Sequence, residues 1–207
     1  MAAPTTKENI LKRIKQALGN PVPLPFPLSE GAGSVFHPAT DALEITFAEQ
    51  FTALQGKFAW CMDEQDLTSQ LTNLIATKDW TKIYCRETKW TEQFSNTADL
   101  PGCEAAITGC ELLVARTGTI VMSTAQQSGR TVSVYAPVHI CIGYTNQLVY
   151  DIKDALQLMK SKYKNIIPSL ITFASGPSRT ADIEKTLVTG VHGPKEVYLF
   201  LVDNLQP

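Results

Sequence analysis

Charge is scarce in this chain, and neither sign dominates. Of 207 residues only 18% are charged, 18 basic against 20 acidic, and the pI is near 5.9. A basic field able to hold a nucleic-acid backbone by counterion release is absent, so nucleic acid and an anionic membrane surface are not expected partners. Long apolar runs are missing too. The most membrane-like stretch, Thr131 to Tyr150, is interrupted by Pro137, Asn146 and Gln147, and its apolar residues alternate, which predicts strands rather than a membrane span. Met1 to Glu8 shows no apolar leader segment, so a cytoplasmic location is expected. Histidine is rare, at positions 37, 139 and 192. The five cysteines, Cys61, Cys85, Cys103, Cys110 and Cys141, are odd in number and never spaced as CxxC. Reduced thiols without a disulfide framework, zinc site or intrinsic iron-sulfur cluster are the expectation.

Apolar side chains, by contrast, are plentiful at 44%, enough to bury a core and exclude disorder as the main state. Thr5 to Glu8 spell a capping box, and Ile10, Leu11, Ile14, Ala17 and Leu18 recur at helical spacing up to Gly19-Asn20. Pro21, Pro23, Pro25 and Pro27 then forbid helix and ladder alike and predict an extended strap. Residues 1–40 therefore read as a helix and proline-rich extension, and 41–207 as one α/β domain. A second helix is predicted from Asp41-Ala-Leu-Glu44 to Gly56. Strand, helix and strand follow at Phe58 to Met62, Asp66 to Ile75 and Lys82 to Cys85, which implies a parallel crossover. Leu112 to Ala115 and Leu170 to Phe173 are continuous apolar runs, expected as strands buried inside a helix-covered, mainly parallel sheet. Val132 and Val134 are expected on one strand face. Val197 to Val202 is the last strand.

Candidate chemistry lies in a few turns. Ser175-Gly176-Pro177-Ser178-Arg179-Thr180 follows a predicted strand and runs through Asp182 into a predicted helix. Gly176 permits a turn or a close approach, Ser178 or Thr180 can cap, and Arg179 offers a planar fork to a carboxylate or phosphate. Asp182 and Glu184 could equally fill the helix end themselves and leave a plain capped turn. Gly190-Val191-His192-Gly193-Pro194 is a stop signal in which His192 could exchange protons or simply bond the backbone. Thr117-Gly118-Thr119 joins two apolar runs, its hydroxyls fit to orient a ligand or to satisfy a turn. His139 and Cys141 share one strand face, but about 6.6 Å separates alternate residues along a strand, too far for a direct hydrogen bond, and buried spectators are the reading. If loops gather at the carboxyl ends of parallel strands, the Thr117, Ser175 and His192 segments would surround one crevice there.

Taken in order, Thr117-Gly118-Thr119, Pro137-Val138-His139-Ile140, the run from Ser175 to Glu184 and Gly190 to Pro194 resemble the LUD-domain lactate-utilisation protein C family, which includes LutC and YkgG. The resemblance covers most of the chain from the second helix onward. It implies a NagB/RpiA/CoA-transferase-like, Rossmann-type three-layer sandwich. The implied role is that of a non-cluster subunit or accessory protein in oxidation of L-lactate to pyruvate, beside LutA-like and LutB-like iron-sulfur proteins that carry the clusters. In the crevice that the Thr117, Ser175 and His192 segments would form, Thr117, Gly118, Thr119, Ser175, Gly176, Ser178, Arg179, Thr180 and Asp182 are the candidates to bind a small anionic metabolite, and His192 is the catalytic candidate. One position departs: the residue before Thr-Gly-Thr, often acidic in the family, is Arg116, which beside Arg179 would make an anion pocket more basic. The related folds also leave open a stand-alone sugar-phosphate or CoA-ester enzyme, or an anion-binding regulatory module without turnover.

Overall fold

The computed structural model describes residues 6–19, 41–164, 166–180 and 188–204, and no side chains at 17 and 18. The chain divides into two units, Met1–Pro38 and Ala39–Pro207. In the first, α1 (Thr6–Gly19) leaves Ile10, Leu11 and Ile14 about half exposed. Thr5, the alternating prolines, His37, Asp182 and Glu184 lie outside the described residues.

The second unit begins with α2 (Leu43–Ala53), β1 (Lys57–Cys61), α3 (Glu64–Lys78), β2 (Ile83–Cys85), α4 (Thr88–Phe94) and β3 (Ala105–Thr108). It continues through β4 (Leu112–Val114), β5 (Thr119–Ser123), α5 (Val132–Tyr135), β6 (Val138–Tyr144) and β7 (Leu148–Val149). The remainder is α6 (Ile152–Tyr163), β8 (Ile171–Ala174), the short pair β9 (Arg179–Thr180) and β10 (Val188–Thr189), and β11 (Glu196–Val202). Five strands form a wholly parallel sheet in the order β1-β11-β6-β3-β2. A second sheet, β7-β4-β5-β8, mixes one parallel pair with two antiparallel ones.

Strand alternation decides what each face of the parallel sheet meets. Val138, Ile140 and Ile142 of β6 pack with Leu67 and Leu71 of α3 and Trp90 and Phe94 of α4. Cys141 points the other way, into a core with Leu199 of β11, Phe47 and Phe51 of α2, and Leu113, Ile120 and Met122 of the second sheet. The outer face of that second sheet is covered by α6 through Ala155, against Val114 and Val121. The architecture is thus α/β with a mainly parallel central sheet, one face covered by helices and the other by α2 together with a second sheet.

Several local expectations change. The run expected inside the parallel sheet, Leu170 to Phe173, becomes β8, the half-buried last strand of the second sheet. Ile171 and Phe173 still pack under α6, and Ala174 packs on the inner core. A continuous apolar run reports cover on both faces and does not distinguish an edge from a centre. Leu112 to Val114 likewise lies in the second sheet, and Ala115 begins the turn after it. Val132 and Val134 sit on a single helical turn, so Val132 is buried and Val134 is not; residues two apart share a face on a strand, not on a helix. At the start of α2 the N-cap is Ala42, without a side-chain cap bond. Arg179 and Thr180 enter a strand pair rather than a helix, and Gly190 follows β10.

Candidate functional site

Two of the loops singled out in the sequence close on the C-terminal turn of α2, and the third, the His192 turn, is tied to one of them. Gly118 has φ +55°, and a Cβ there would lie 2.5 Å from the Phe51 nitrogen; Gly176 has φ +77°, and its Cβ would lie 2.5 Å from the Leu54 carbonyl oxygen. Only glycine satisfies both the left-handed backbone and the close approach. Arg179 Nη2 donates to the Leu54 carbonyl at 2.8 Å, meeting one of the orphan acceptors that every helix leaves at its end. A hydroxyl chain joins the loops: Thr117 Oγ1 to Thr119 Oγ1 at 2.7 Å, and Thr119 Oγ1 to Ser175 Oγ at 2.6 Å. Ser178 links to the His192 turn through its backbone, donating to Pro194 O at 2.9 Å and accepting from Gly190 N at 2.9 Å. Thr180 sits opposite Val188 in the β9–β10 pair.

This gathering lies at the amino edge of the parallel sheet, not at the carboxyl ends where it was expected. Helix α2 turns through Gln55 and Gly56 directly into the start of β1, and the His192 turn leads into the start of β11. Lys195 N donates to Pro137 O at 2.8 Å, which places that turn beside the start of β6 as well. The His192 turn precedes its parallel strand rather than following it, while Thr117–Thr119 and Ser175 flank β5 and β8, antiparallel strands of the second sheet. Arg116 does not join Arg179 in a basic pocket: it pairs with Asp151, whose side chain caps α6 in a reciprocal box with Asp154.

The carboxyl edge carries a different chemistry, one in which the acids are already engaged. Glu111, just beyond β3, accepts from Ser123 Oγ at 2.5 Å, Tyr163 OH at 2.6 Å and Lys162 Nζ at 2.6 Å. Burial pushes its carboxyl up, but the three donors outweigh burial and hold it below the usual glutamate range. Lys89 bridges Glu64 and, at 2.7 Å, Tyr144 OH. Ser128 Oγ donates to Glu87 at 2.5 Å. Between the edges, His139 Nε2 meets Thr108 Oγ1 at 2.8 Å, and burial lowers its pKa to about 4, so the ring is neutral at pH 7. Burial and then the neighbouring Cys110 push the Cys141 thiol up; burial, with Asp66 and Asp63 behind it, lifts Cys61 to about 12. Thiols in that state are poor nucleophiles. His139 and Cys141 are buried and each bonds elsewhere, as the strand spacing required.

One open cleft, of about 420 Å³, lies at the amino edge beside these loops, between α5 and the turn that holds His192. Val134, Tyr135, Pro137, Val191, His192 and Lys195 line it, with Gly190 and Gly193.

A sequence model of the LUD domain matches residues 78–202. The chain belongs to the LUD-domain family. Among its relatives, lactate utilization protein C of Bacillus subtilis is 31% identical over 134 residues, 62% of this chain and 56% of that protein. Lactate utilization protein C of Deinococcus radiodurans is 33% identical over 106 residues, covering 51% and 49%. An uncharacterized protein of Neisseria meningitidis serogroup B is 33% identical over 119 residues, covering 56% and 48%. The chain spans about half the length of the curated relatives it matches. In three dimensions it is similar to the crystal structure of a DUF162 family protein from Deinococcus radiodurans, with a TM-score of 0.58 at 17% identity, over 77% of this chain and 96% of that one.

The LUD match runs from the end of α3 to the end of β11, so it includes all three loops but leaves out α2, the helix on which two of them close. Sequence reading missed Glu111, Lys162 and Tyr163, which meet only because α6 packs over the second sheet. It also missed Lys195 and Tyr135 on the cleft. The one available signal was position: Lys195 immediately follows the His192 turn, and Glu111 lies three residues past the Ala105 to Thr108 strand.

Proposed function

We propose that this LUD-domain chain is the non-cluster component of a lactate-utilisation system, acting in the cytoplasm beside LutA-like and LutB-like iron-sulfur proteins. Residues 41–207 would form the working domain and 1–40 an extension. The observation that carries the reading is the LUD match over residues 78–202, together with relatives named lactate utilization protein C. Oxidising L-lactate to pyruvate removes two electrons and two protons, and the electrons need a relay. The donor set of this chain supports placing that relay on partners: its cysteines sit on separate strands and loops, all five are buried, and no three metal-ligating side chains come together among the described residues. His192, exposed on the cleft, is the candidate for proton exchange.

The test is reconstitution. The chain would be purified with cluster-bearing proteins encoded beside it, and lactate-dependent reduction of an electron acceptor would be measured with and without it. Co-purification and loss of turnover on omission are expected. Full turnover in its absence, with no physical association, would overturn the assignment.

A further inference from the structure

We infer that the amino-edge cleft binds an organic anion carrying a flat apolar ring. The cleft divides its chemistry between two walls. On one, that of α5, Tyr135 is 62% exposed and Val134 42%, and Val191 of the facing turn is 40% exposed, so three apolar side chains stand open around one space. On the other, Lys195 and His192 are exposed, and among the described residues no carboxylate pairs with Lys195. The neighbouring Glu196 is held away from the cleft by Lys57, Lys78 and Tyr198.

The walls are fixed before any ligand arrives. Val132 and Ala136 anchor α5 in the core, leaving Val134 and Tyr135 between them to face out. The opposite turn is pinned at Gly190 and Pro194 through Ser178 and at Lys195 through Pro137, all by backbone hydrogen bonds of 2.8–2.9 Å. Such preorganisation lowers the ordering cost of binding. Size narrows the ligand. At about 420 Å³ the cleft falls in the usual range of small-molecule sites, about 300–1,000 Å³, and a bare phosphate or a three-carbon hydroxy acid would leave most of it unfilled. An aromatic ring stacked on Tyr135, with its phosphate or carboxylate turned to Lys195 and His192, uses both walls.

The experiment is an NMR titration of the full chain with phenyl phosphate and with 3-phenylpropanoate, and separately with the half-probes inorganic phosphate and phenol. Saturable shifts confined to residues 132–137 and 189–196 are expected for at least one ring-bearing anion, and the two arms tell phosphate from carboxylate. The half-probes should bind more weakly. Lys195→Gln should raise the dissociation constant about tenfold, Lys195→Arg should restore it, and Tyr135→Ala should weaken it by about fivefold or more. Both side chains are exposed, so thermal unfolding should stay unchanged and separate a lost contact from a lost fold. Absence of saturable binding by either ring-bearing anion, binding indifferent to both substitutions, or inorganic phosphate binding as tightly as phenyl phosphate would each overturn the inference. None of these outcomes depends on lactate turnover.

Discussion

The two edges of the parallel sheet differ in what they leave unengaged, although at the amino edge too Glu196 is held by Lys57, Lys78 and Tyr198. At the carboxyl edge, polar groups satisfy one another: Glu111 with three donors, Lys89 with Glu64 and Tyr144, Glu87 with Ser128. At the amino edge, glycines and hydroxyls close α2, and next to that closure a cleft holds a lysine and a histidine with no described acid in its lining. Density of polar residues is therefore a poor guide to a site. What matters is whether their hydrogen-bonding capacity is already used, because a saturated cluster offers a ligand little that it does not first have to break.

The largest predicted effect tests the closure of α2. Gly118→Val forces a β-branched residue to a positive φ and drives its side chain into the Phe51 backbone, so strain and overpacking together should remove about 3–5 kcal/mol. Chemical denaturation measures it directly, and a loss below about 1 kcal/mol would mean that the approach of this loop to α2 is loose.

Next comes the buried imidazole between the edges. Below its ordinary pKa of 6.5 the unfolded chain takes up a proton on His139 that the folded chain refuses until about pH 4. The unfolded state then binds more protons, so stability falls as pH drops through that window, by about 3 kcal/mol in all. Urea unfolding of the wild type and of His139→Gln at about pH 7 and about pH 4.5 should show the loss in the first and not in the second. Parallel curves would place the titration elsewhere.

At the carboxyl edge, Glu111→Gln keeps the shape but removes the charge that three donors share, and a loss of about 1.5–3 kcal/mol is expected. Lys162 is 60% exposed at its side chain and regains water, which keeps the effect below that of breaking a wholly buried pair. Because the folded carboxyl sits below its unfolded range, this contribution is present above the unfolded pKa and fades in acid as the carboxylate protonates.

The smallest effect sharpens the contrast within the amino edge. Arg179→Ala removes one exposed donor from the Leu54 carbonyl and should reduce stability by about 1 kcal/mol, with phenyl phosphate binding in the cleft unchanged. A clear loss of binding would instead give Arg179 the anion-binding role that its sequence context also allowed.

Much of the fold was legible because it rests on local periodicity. Leu67, Leu71 and Ile75 mark α3, and Val138, Ile140 and Ile142 against His139 and Cys141 mark a strand with two distinct faces. The Ile171 to Ala174 strand was legible as a strand but not as an edge, since its apolar residues meet α6 on one side and the inner core on the other. Of the candidate site, Gly118 was legible as a tight bend and Gly176 as a turn or a close approach, and both lie against the end of α2. That their neighbour is α2 could not be read, because nothing near Gly118 in sequence names Phe51 or Leu54.

By itself the sequence determined most of the helices and strands of the parallel layer and the turns at Gly118 and Gly176. Each follows from neighbours within a turn or two along the chain. Tertiary structure alone decided which end of the sheet receives these loops, and that Arg116 pairs with Asp151 and Arg179 donates to the Leu54 carbonyl. It also decided that Lys195 and Tyr135 face one space. These are relations between residues tens of positions apart, set by strand order and by which face each layer covers, and no local pattern of apolar and polar side chains encodes that order.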